Sequence, residues 1–474
     1  MKTFFLFLVL WTVLFLNNPA QTSQNLTLKA NWQDQNLPIH AGLIYNDVWG
    51  FVYGYREYAI LGSAGQTHFI EVTDPASPVE VARFAGAVNS IWRDFKTFSH
   101  YAYGSADETS QTSPSGLQIF DYSGLPNSVS KVYDSPIFFE RAHNIYIDEK
   151  SGRLYAAGTD TRPNGLIVLD LNADPANPNL LASVNLPGGY VHDVHVRNNI
   201  AYCSHGFNGM YIYDMTNPTN PILIGNITSY PNQGYNHSSW LTDDGNFLVF
   251  ADESFGRPLR ILDITDLNNL SIVSTFKSHL VGPSATNSMA HNPFVRNGYA
   301  FIAYYQDGIQ IFDINDVLEP RQIAWYDTDT TNIAYTGYDG AWGVYPFLPS
   351  HNILGSDQTF GLFILEFDDL KPAIGNTQPD FPFDETQITN LAKPIRLFPN
   401  PVNEGENLHL TLENDSLRIL RSVIYDLNGK EVRKTSLVYE SGDYPVDISG
   451  IPPGIYAMII TGENFYARKK LVIR

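Results

Sequence analysis

Four histidines occupy one position of a recurring pattern, in Ala142-His143-Asn144, Val191-His192-Asp193, Asn236-His237-Ser238 and Ala290-His291-Asn292. An imidazole can donate or accept one hydrogen bond at each nitrogen, exchange a proton near neutrality, or ligate a divalent ion. Three further copies of the pattern carry Asn46, Asn89 and Asp339 in place of histidine. A second set falls in the loop between strands two and three of each copy: Asp107 and Glu108, Asp160, His205, Asp252 and Glu253, Asp307, and Asp357. In an antiparallel meander that loop lies at the same end as the entrance to strand one, so the two sets are expected to share a mouth. The candidate ligand-binding residues are therefore His143, His192, His237, His291 and Asp339, with Asp160, His205 and Asp252 just outside them. No cofactor is called for, although imidazole and carboxylate donors suit a divalent metal. Metal bonds of about 2 Å demand a convergence that positions one repeat apart need not supply. The competing reading is that each histidine bonds a backbone carbonyl or a neighbouring repeat and binds nothing.

Other chemistry is scarce. There is no GxxxxGK[ST], HExxH or GxSxG motif and no complete EF-hand loop, so no catalytic residue is nominated. The single cysteine, Cys203, excludes an intrachain disulfide or a CxxC site, and its apolar strand suggests a buried thiol. His195 replaces an aromatic residue three positions after His192, and on a strand it should face away from it.

The elements that place these residues are short strands. Val191 to Val196, Ile200 to Ser204, Met210 to Met215 and Ile222 to Ile227 are apolar runs parted by turn formers, which reads as a four-stranded meander. Its third strand, GMYIYDM, recurs as HFIEVTD (His68–Asp74), GLQIFDY, GLIVLDL, PLRILDI, GIQIFDI and GLFILEF. The first strand carries Trp49, Trp92, Tyr146, His195, Trp240, Phe294 and Trp342 at one position. The period of about 49 residues and the seven copies predict an all-β fold, a seven-bladed β-propeller over residues 21–370. The last copy lacks a fourth strand, and Leu26 to Trp32 is expected to supply it and close the ring. Residues 371–393 carry Pro372, Pro379 and Pro382 and read as a linker, and 394–474 read as a small C-terminal β-sandwich, Ig-like in architecture.

Residues 1–20 read as a signal peptide, with Lys2 ahead of the apolar run Phe4 to Leu16. That run is too short for an ordinary spanning helix, so no transmembrane segment is expected in the mature chain. Composition fits an exported β protein, with 16% charged residues and 35 Gly and 29 Pro for turns. Lys plus Arg number 29 against 49 Asp plus Glu, a net charge of −20, which disfavours nucleic acid as a partner.

The tail resembles the type A C-terminal sorting domain of the type IX secretion system of Bacteroidota. The matching stretches are Leu397-Phe398-Pro399-Asn400-Pro401, Tyr425 to Lys430, Gly454-Ile455-Tyr456 and Lys469 to Arg474. That resemblance implies engagement of the type IX machinery and an extracellular or outer-membrane surface location. The propeller resembles the LVIVD-repeat and choice-of-anchor B proteins through FIEVTDPASP, LIVLDLNADPANP and MYIYDMTNPTNP. The fifth copy departs, with Leu267-Asn268-Asn269-Leu270 where others have prolines. The reading favoured is a non-catalytic surface scaffold for an extracellular glycan, peptide or protein. The alternative is a secreted metal-assisted hydrolase or lyase working at the His and carboxylate mouth.

Overall fold

Each repeat is a sheet because its inner strands are apolar on both sides. In Gly165–Asp170, for instance, every residue but the last is buried, whereas the outer strand Asn179–Asn185 is half exposed. Such a sheet must be covered on both faces by its neighbours. The computed structural model describes residues 23–54, 56–87, 89–108, 116–278, 280, 287–330, 337–367, 396–403, 408–411, 419–425, 431–438, 443–462 and 465–474. The expected signal peptide and linker lie outside these residues. Seven sheets of four strands, one with a fifth strand added, form the blades. Their innermost strands are Tyr45–Tyr53, Arg93–Phe98, Asn144–Asp148, Asp193–Arg197, Asn236–Leu241, Pro293–Arg296 and Ala341–Tyr345, packed in that order round an axis with the last beside the first. Between blades lie apolar clusters such as Leu166, Val168, Val194, Val196, Ala201 and Tyr213.

The ring closes as the sequence suggests. Thr27–Trp32 pairs antiparallel with Gly361–Glu366, and the Asn31 amide donates to the carbonyls of Phe360 (2.8 Å) and Leu362 (3.1 Å). A second clasp was not foreseen: Ser23–Gln24 pairs with Arg321–Tyr326, the outer strand of the sixth blade.

Two local devices repeat. The hairpin from Asp193–Arg197 to Ile200–Ser204 turns on Asn198 and Asn199, with φ of 54° and 64°, the pair of left-handed residues that a type I′ turn needs. The acidic residue ending strand three accepts a backbone N–H two residues on, from Ser123 to Asp121, Asn172 to Asp170, Thr216 to Asp214, Thr265 to Asp263 and Asn315 to Asp313, at 2.8–3.0 Å. A second Asx turn follows at Asp74, Asp174, Asn217, Asp266 and Asp316. The fifth blade keeps this turn without prolines, because the Asp266 carboxylate still accepts the N–H of Asn268 at 3.0 Å. The Asp or Asn side-chain oxygen, not the proline, makes the turn.

Strand register revises three alignments. Val48, Phe95, Ile145, Val194, Ser239, Pro293 and Val344 face Leu61, Gly104, Ala156, Cys203, Phe250, Ile302 and Gly355 respectively. Two residues earlier stand Asn46, Arg93, His143, His192, His237, His291 and Trp342. Arg93 and Trp342, not Asn89 and Asp339, are thus the ring residues of the second and seventh blades. The first blade's third strand is Gln66–Glu71, two residues ahead of the expected start.

The C-terminal residues form two sheets. One holds Arg396–Phe398, Leu408–Thr411 and Tyr444–Val446; the other holds Ile419–Tyr425, Glu431–Val438, Gly454–Gly462 and Phe465–Ile473. Leu408, Leu410 and Val446 of the first share a core with Ile424, Leu437, Met458 and Leu471 of the second, as in a sandwich. Among the described residues no helix is long and apolar enough to cross a membrane.

Candidate functional site at the propeller axis

The residue entering each innermost strand points at the axis, so four consecutive blades bring four imidazoles side by side. Ring centroids are 4.0 Å apart for His143 and His192, 4.4 Å for His192 and His237, and 4.5 Å for His237 and His291, with Trp342 4.1 Å beyond. Three of the rings are buried, and the side chain of His143 is 16% exposed.

Hydrogen bonding fixes which nitrogen carries the proton. His192 Nδ1 lies 3.2 Å from the carbonyl of His237, and His291 Nδ1 lies 2.5 Å from that of Trp342. A carbonyl only accepts, so both nitrogens are N–H donors. Ser238 Oγ donates to the His291 carbonyl (2.9 Å) and so accepts from His237 Nδ1 (3.0 Å). His143 Nδ1 donates to Asp107 Oδ2 at 2.8 Å. All four rings are therefore anchored at Nδ1. Among the described residues no hydrogen bond covers Nε2 of any of them; the nearest charge is Glu253, 3.6 Å from His237 Nε2.

Burial pulls His192 and His237 well below the ordinary imidazole range, with neighbouring imidazoles adding to it, and takes His291 to about 3. Burial also pulls on His143, but the hydrogen bond and charge of Asp107 outweigh it and leave that ring raised. Glu253 accepts from the Tyr305 hydroxyl, and desolvation lifts its carboxyl to about 7. Donor atoms of His143, His192 and His237 all lie within 4.8 Å of one another, and so do those of His237, Glu253 and His291. The convergence is closer and drier than positions one repeat apart suggested.

The other nominated residues do different work. Asp160 is exposed and accepts the N–H groups of Glu140 and Arg141 at 3.0 and 3.3 Å, bracing the loop that delivers His143. His205 bonds the Gly189 carbonyl through Nδ1 at 3.2 Å and braces the loop before His192; its buried Nε2 has no partner. Asp252 pairs with buried Arg260 at 2.9 Å and accepts from Tyr230 (2.9 Å) and Gly234 N–H (2.6 Å), fixing the loop before His237. Asp339 stands three residues outside the ring and accepts from Gln306 at 3.1 Å. The carboxylates that meet the histidines are Asp107 and Glu253. Neighbours such as Asp252 and Glu253 face opposite ways at a strand end, which loop membership alone does not resolve.

Below the ring lies a cavity of about 60 Å³ whose walls include Asp47, Asp94, Asn144, Asp193 and Asn292. Three of these side chains stitch blade to blade. Asp47 accepts the N–H of Phe95 (3.2 Å), Asp94 that of Ile145 (2.8 Å), and Asn144 that of Val194 (3.2 Å). Lys96 takes the aromatic position in the second blade; its ammonium bonds Asp94 at 2.5 Å and sits 4.6 Å from the Trp49 ring centre. Burial and the charge of Asp94 raise the Asp193 carboxyl to about 7. At the far end Trp49, Tyr146, Trp240, Phe294, Tyr345 and Phe347 pack across the axis, His195 among them at 4.5 Å from Trp240. His195 does not turn away from the axis as the strand alternation suggested: it lies in this aromatic plug, while His192 lies in the imidazole ring.

The mouth itself is aromatic. Phe207, 73% exposed, meets Tyr235 at 5.1 Å, and Tyr235 meets His192 edge-on at 5.1 Å. Exposed Tyr338 meets Tyr305 at 5.9 Å, and Tyr305 meets His291 at 5.1 Å. Two aromatic paths thus run from solvent to the ring. Gly206 makes one of them possible: its φ is +58°, and a Cβ there would stand 2.6 Å from the Tyr235 ring.

One arrangement escaped the sequence altogether. His68 lies 2.9 Å from Ser63 Oγ through Nε2 and 2.6 Å from Glu80 through Nδ1, the order of a hydrolase relay. Ser63 and His68 are fully buried and Trp32 covers the imidazole at 5.6 Å, so no substrate carbonyl reaches the hydroxyl. Cys203 is likewise buried, and desolvation pushes its thiol up, away from reactivity.

Comparison with known proteins adds two assignments. Residues 188–229, the fourth blade with its entry loop, match the LVIVD repeat, and residues 396–474 match the secretion system C-terminal sorting domain. The chain therefore carries an LVIVD-repeat propeller and a sorting domain of the type IX system, which directs it to the cell surface or the extracellular space and implies contact with that machinery. No curated protein matches the sequence. Among solved structures, a functionally unknown protein from Desulfotomaculum acetoxidans is 16% identical, covering 62% of this chain and 89% of its own, with a TM-score of 0.45. The WD40 repeats of RRP9 are 7% identical, covering 73% and 98%, with a TM-score of 0.49.

Proposed function

We propose that this exported propeller is a non-catalytic binding protein whose ligand, an extracellular glycan, peptide or protein segment, docks on the aromatic mouth above the histidine ring. The observation that carries the reading is the pair of aromatic paths, Phe207–Tyr235–His192 and Tyr338–Tyr305–His291, leading from exposed rings to a buried polar well. Exposed aromatic faces beside convergent polar groups suit sugar rings and aromatic or apolar side chains. The carboxylates Asp107 and Glu253 add acceptors for hydroxyl or amide donors. A glycan array and a peptide array probed with the labelled mature protein test the reading. Binding is expected, with Phe207→Ala and Tyr338→Ala each costing about 1–2 kcal/mol of affinity, as for anchor residues of an interface. A mature protein that binds nothing on either array, yet turns over a panel of glycoside or ester substrates, overturns it. That second outcome is the metal-assisted hydrolase, which the clustering of His237, Glu253 and His291 favours over any nucleophile mechanism.

A further inference from the structure

We propose that His143, His192 and His237 hold one divalent transition-metal ion on the propeller axis, each through Nε2. This goes beyond the binding reading and does not depend on it.

Three observations converge. The donor atoms come from three consecutive blades and lie within 4.8 Å of one another, in rings stacked 4.0 and 4.4 Å apart. Each Nδ1 is already used as a donor: His143 to Asp107, His192 to the His237 carbonyl, and His237 to Ser238. That pattern is the outer shell of imidazole metal sites, where a carboxylate or carbonyl on one nitrogen orients the ring and strengthens the other as a ligand. Finally, the three Nε2 atoms meet no donor among the described residues, on rings that are buried or, for His143, nearly so. Three imidazole acceptors that face one another without a donor between them are satisfied together by one cation.

The donor set selects the class of ion. Imidazole nitrogens suit zinc, copper, nickel or cobalt rather than calcium or magnesium, which prefer oxygen. Bonds of about 2.0–2.1 Å place donors somewhat closer than the limit seen, so small ring rotations complete the site. His237 also belongs to the cluster with Glu253 and His291. With Nδ1 committed it has one lone pair and serves one ion, so the two clusters compete. The all-imidazole set wins because one Glu253 oxygen is already held by the Tyr305 hydroxyl. The remaining carboxylate oxygen, 3.6 Å from His237 Nε2, is left to receive a hydrogen bond from water on the ion's open position.

The test titrates Co(II) and Zn(II) into the full mature protein after chelator treatment. Co(II) should give visible d–d absorption that saturates at one equivalent, and Zn(II) should displace it. His143→Asn and His192→Asn should weaken binding by about 10–100-fold or more, and Asp107→Asn by about tenfold, as losses of ligands and of an orienting partner do. His291→Asn should retain the wild-type spectrum. Far-UV circular dichroism of each variant separates ligand loss from misfolding. A wild-type protein with no saturable Co(II) spectrum overturns the proposal regardless of any variant. Loss confined to His291→Asn and Glu253→Gln, with His143→Asn still binding, overturns the ligand assignment.

Discussion

At the scale of single residues the axis shows how one repeat position is put to several uses. The place filled by Trp49, Tyr146, Trp240, Phe294 and Tyr345 holds Lys96 in the second blade and His195 in the fourth. Lys96 is the only ammonium among the described residues lining the cavity, where Asp47 and Asp94 are buried beside it. Replacing it with methionine keeps the stem but strands those carboxylates, so Lys96→Met should cost about 3–5 kcal/mol in denaturant unfolding. A loss below about 1 kcal/mol would mean the carboxylates already share a proton. His195 is the opposite case, a buried ring with neither nitrogen bonded. Burial, with the charge of Arg197, holds it well below its ordinary value, so it stays neutral in the fold. The unfolded chain takes up a proton below a pH of about 6.5 and the folded chain does not, so His195 costs stability increasingly as pH falls. His195→Phe removes that cost and two unpaired polar atoms. It should raise stability by about 1–3 kcal/mol at pH 8 and by more at pH 5. An equal gain at both values would place the imidazole proton elsewhere.

These residues also mark what the sequence disclosed. The histidines, and the fact that they share one end, were legible because a repeat position survives any uncertainty about strand ends. Arg93 and Trp342 were missed because their blades enter the innermost strand three or four residues later, and counting back from a tryptophan misplaced both. The proton positions were not legible, since those of His192 and His291 depend on carbonyls of the next blade, 45 and 51 residues away, and those of His143 and His237 on Asp107 and Ser238. The Ser63–His68–Glu80 relay was hidden for a similar reason: it joins three strands of one blade through a register that only pairing defines.

At the scale of elements, the propeller is held by its closure and by carboxylate turns. The seventh blade has no outer strand of its own and borrows Thr27–Trp32, while Ser23–Gln24 clips the sixth blade from outside. Without them Gly361–Glu366 becomes an open edge, apolar on both faces. Deleting residues 23–32 should therefore lower the melting temperature by several degrees, since each kcal/mol is worth about 2–4 °C in a domain of this size. The same deletion should promote self-association through the freed edge. A monomer with unchanged melting temperature in scanning calorimetry and light scattering would show that closure is not needed. The fifth blade shows which part of the repeat motif makes the turn: Asp266 alone reproduces the turn that others make with prolines nearby.

At the scale of the whole molecule, the chain couples a propeller to an address. The sorting domain over residues 396–474 should be needed for release from the periplasm and not for the fold of the propeller. A chain ending at residue 370 should be soluble, show the same circular dichroism for its β-sheets, and accumulate in the periplasm of its native host. Recovery of that shortened chain from the cell surface by protease shaving would refute the division of labour.

The axial site is defined above all by four imidazoles anchored at Nδ1 with no hydrogen bond on Nε2 among the described residues. Long-range ¹H–¹⁵N correlation spectra of the ¹⁵N-labelled, metal-free mature protein read the tautomer of each ring directly. The account predicts Nδ1–H tautomers for His192, His237 and His291, and a proton retained on His143 Nδ1 beside Asp107, with the Nε2 signals of His143, His192 and His237 shifting together when Zn(II) is added. Nε2–H tautomers at these positions, with no response to Zn(II), would contradict it.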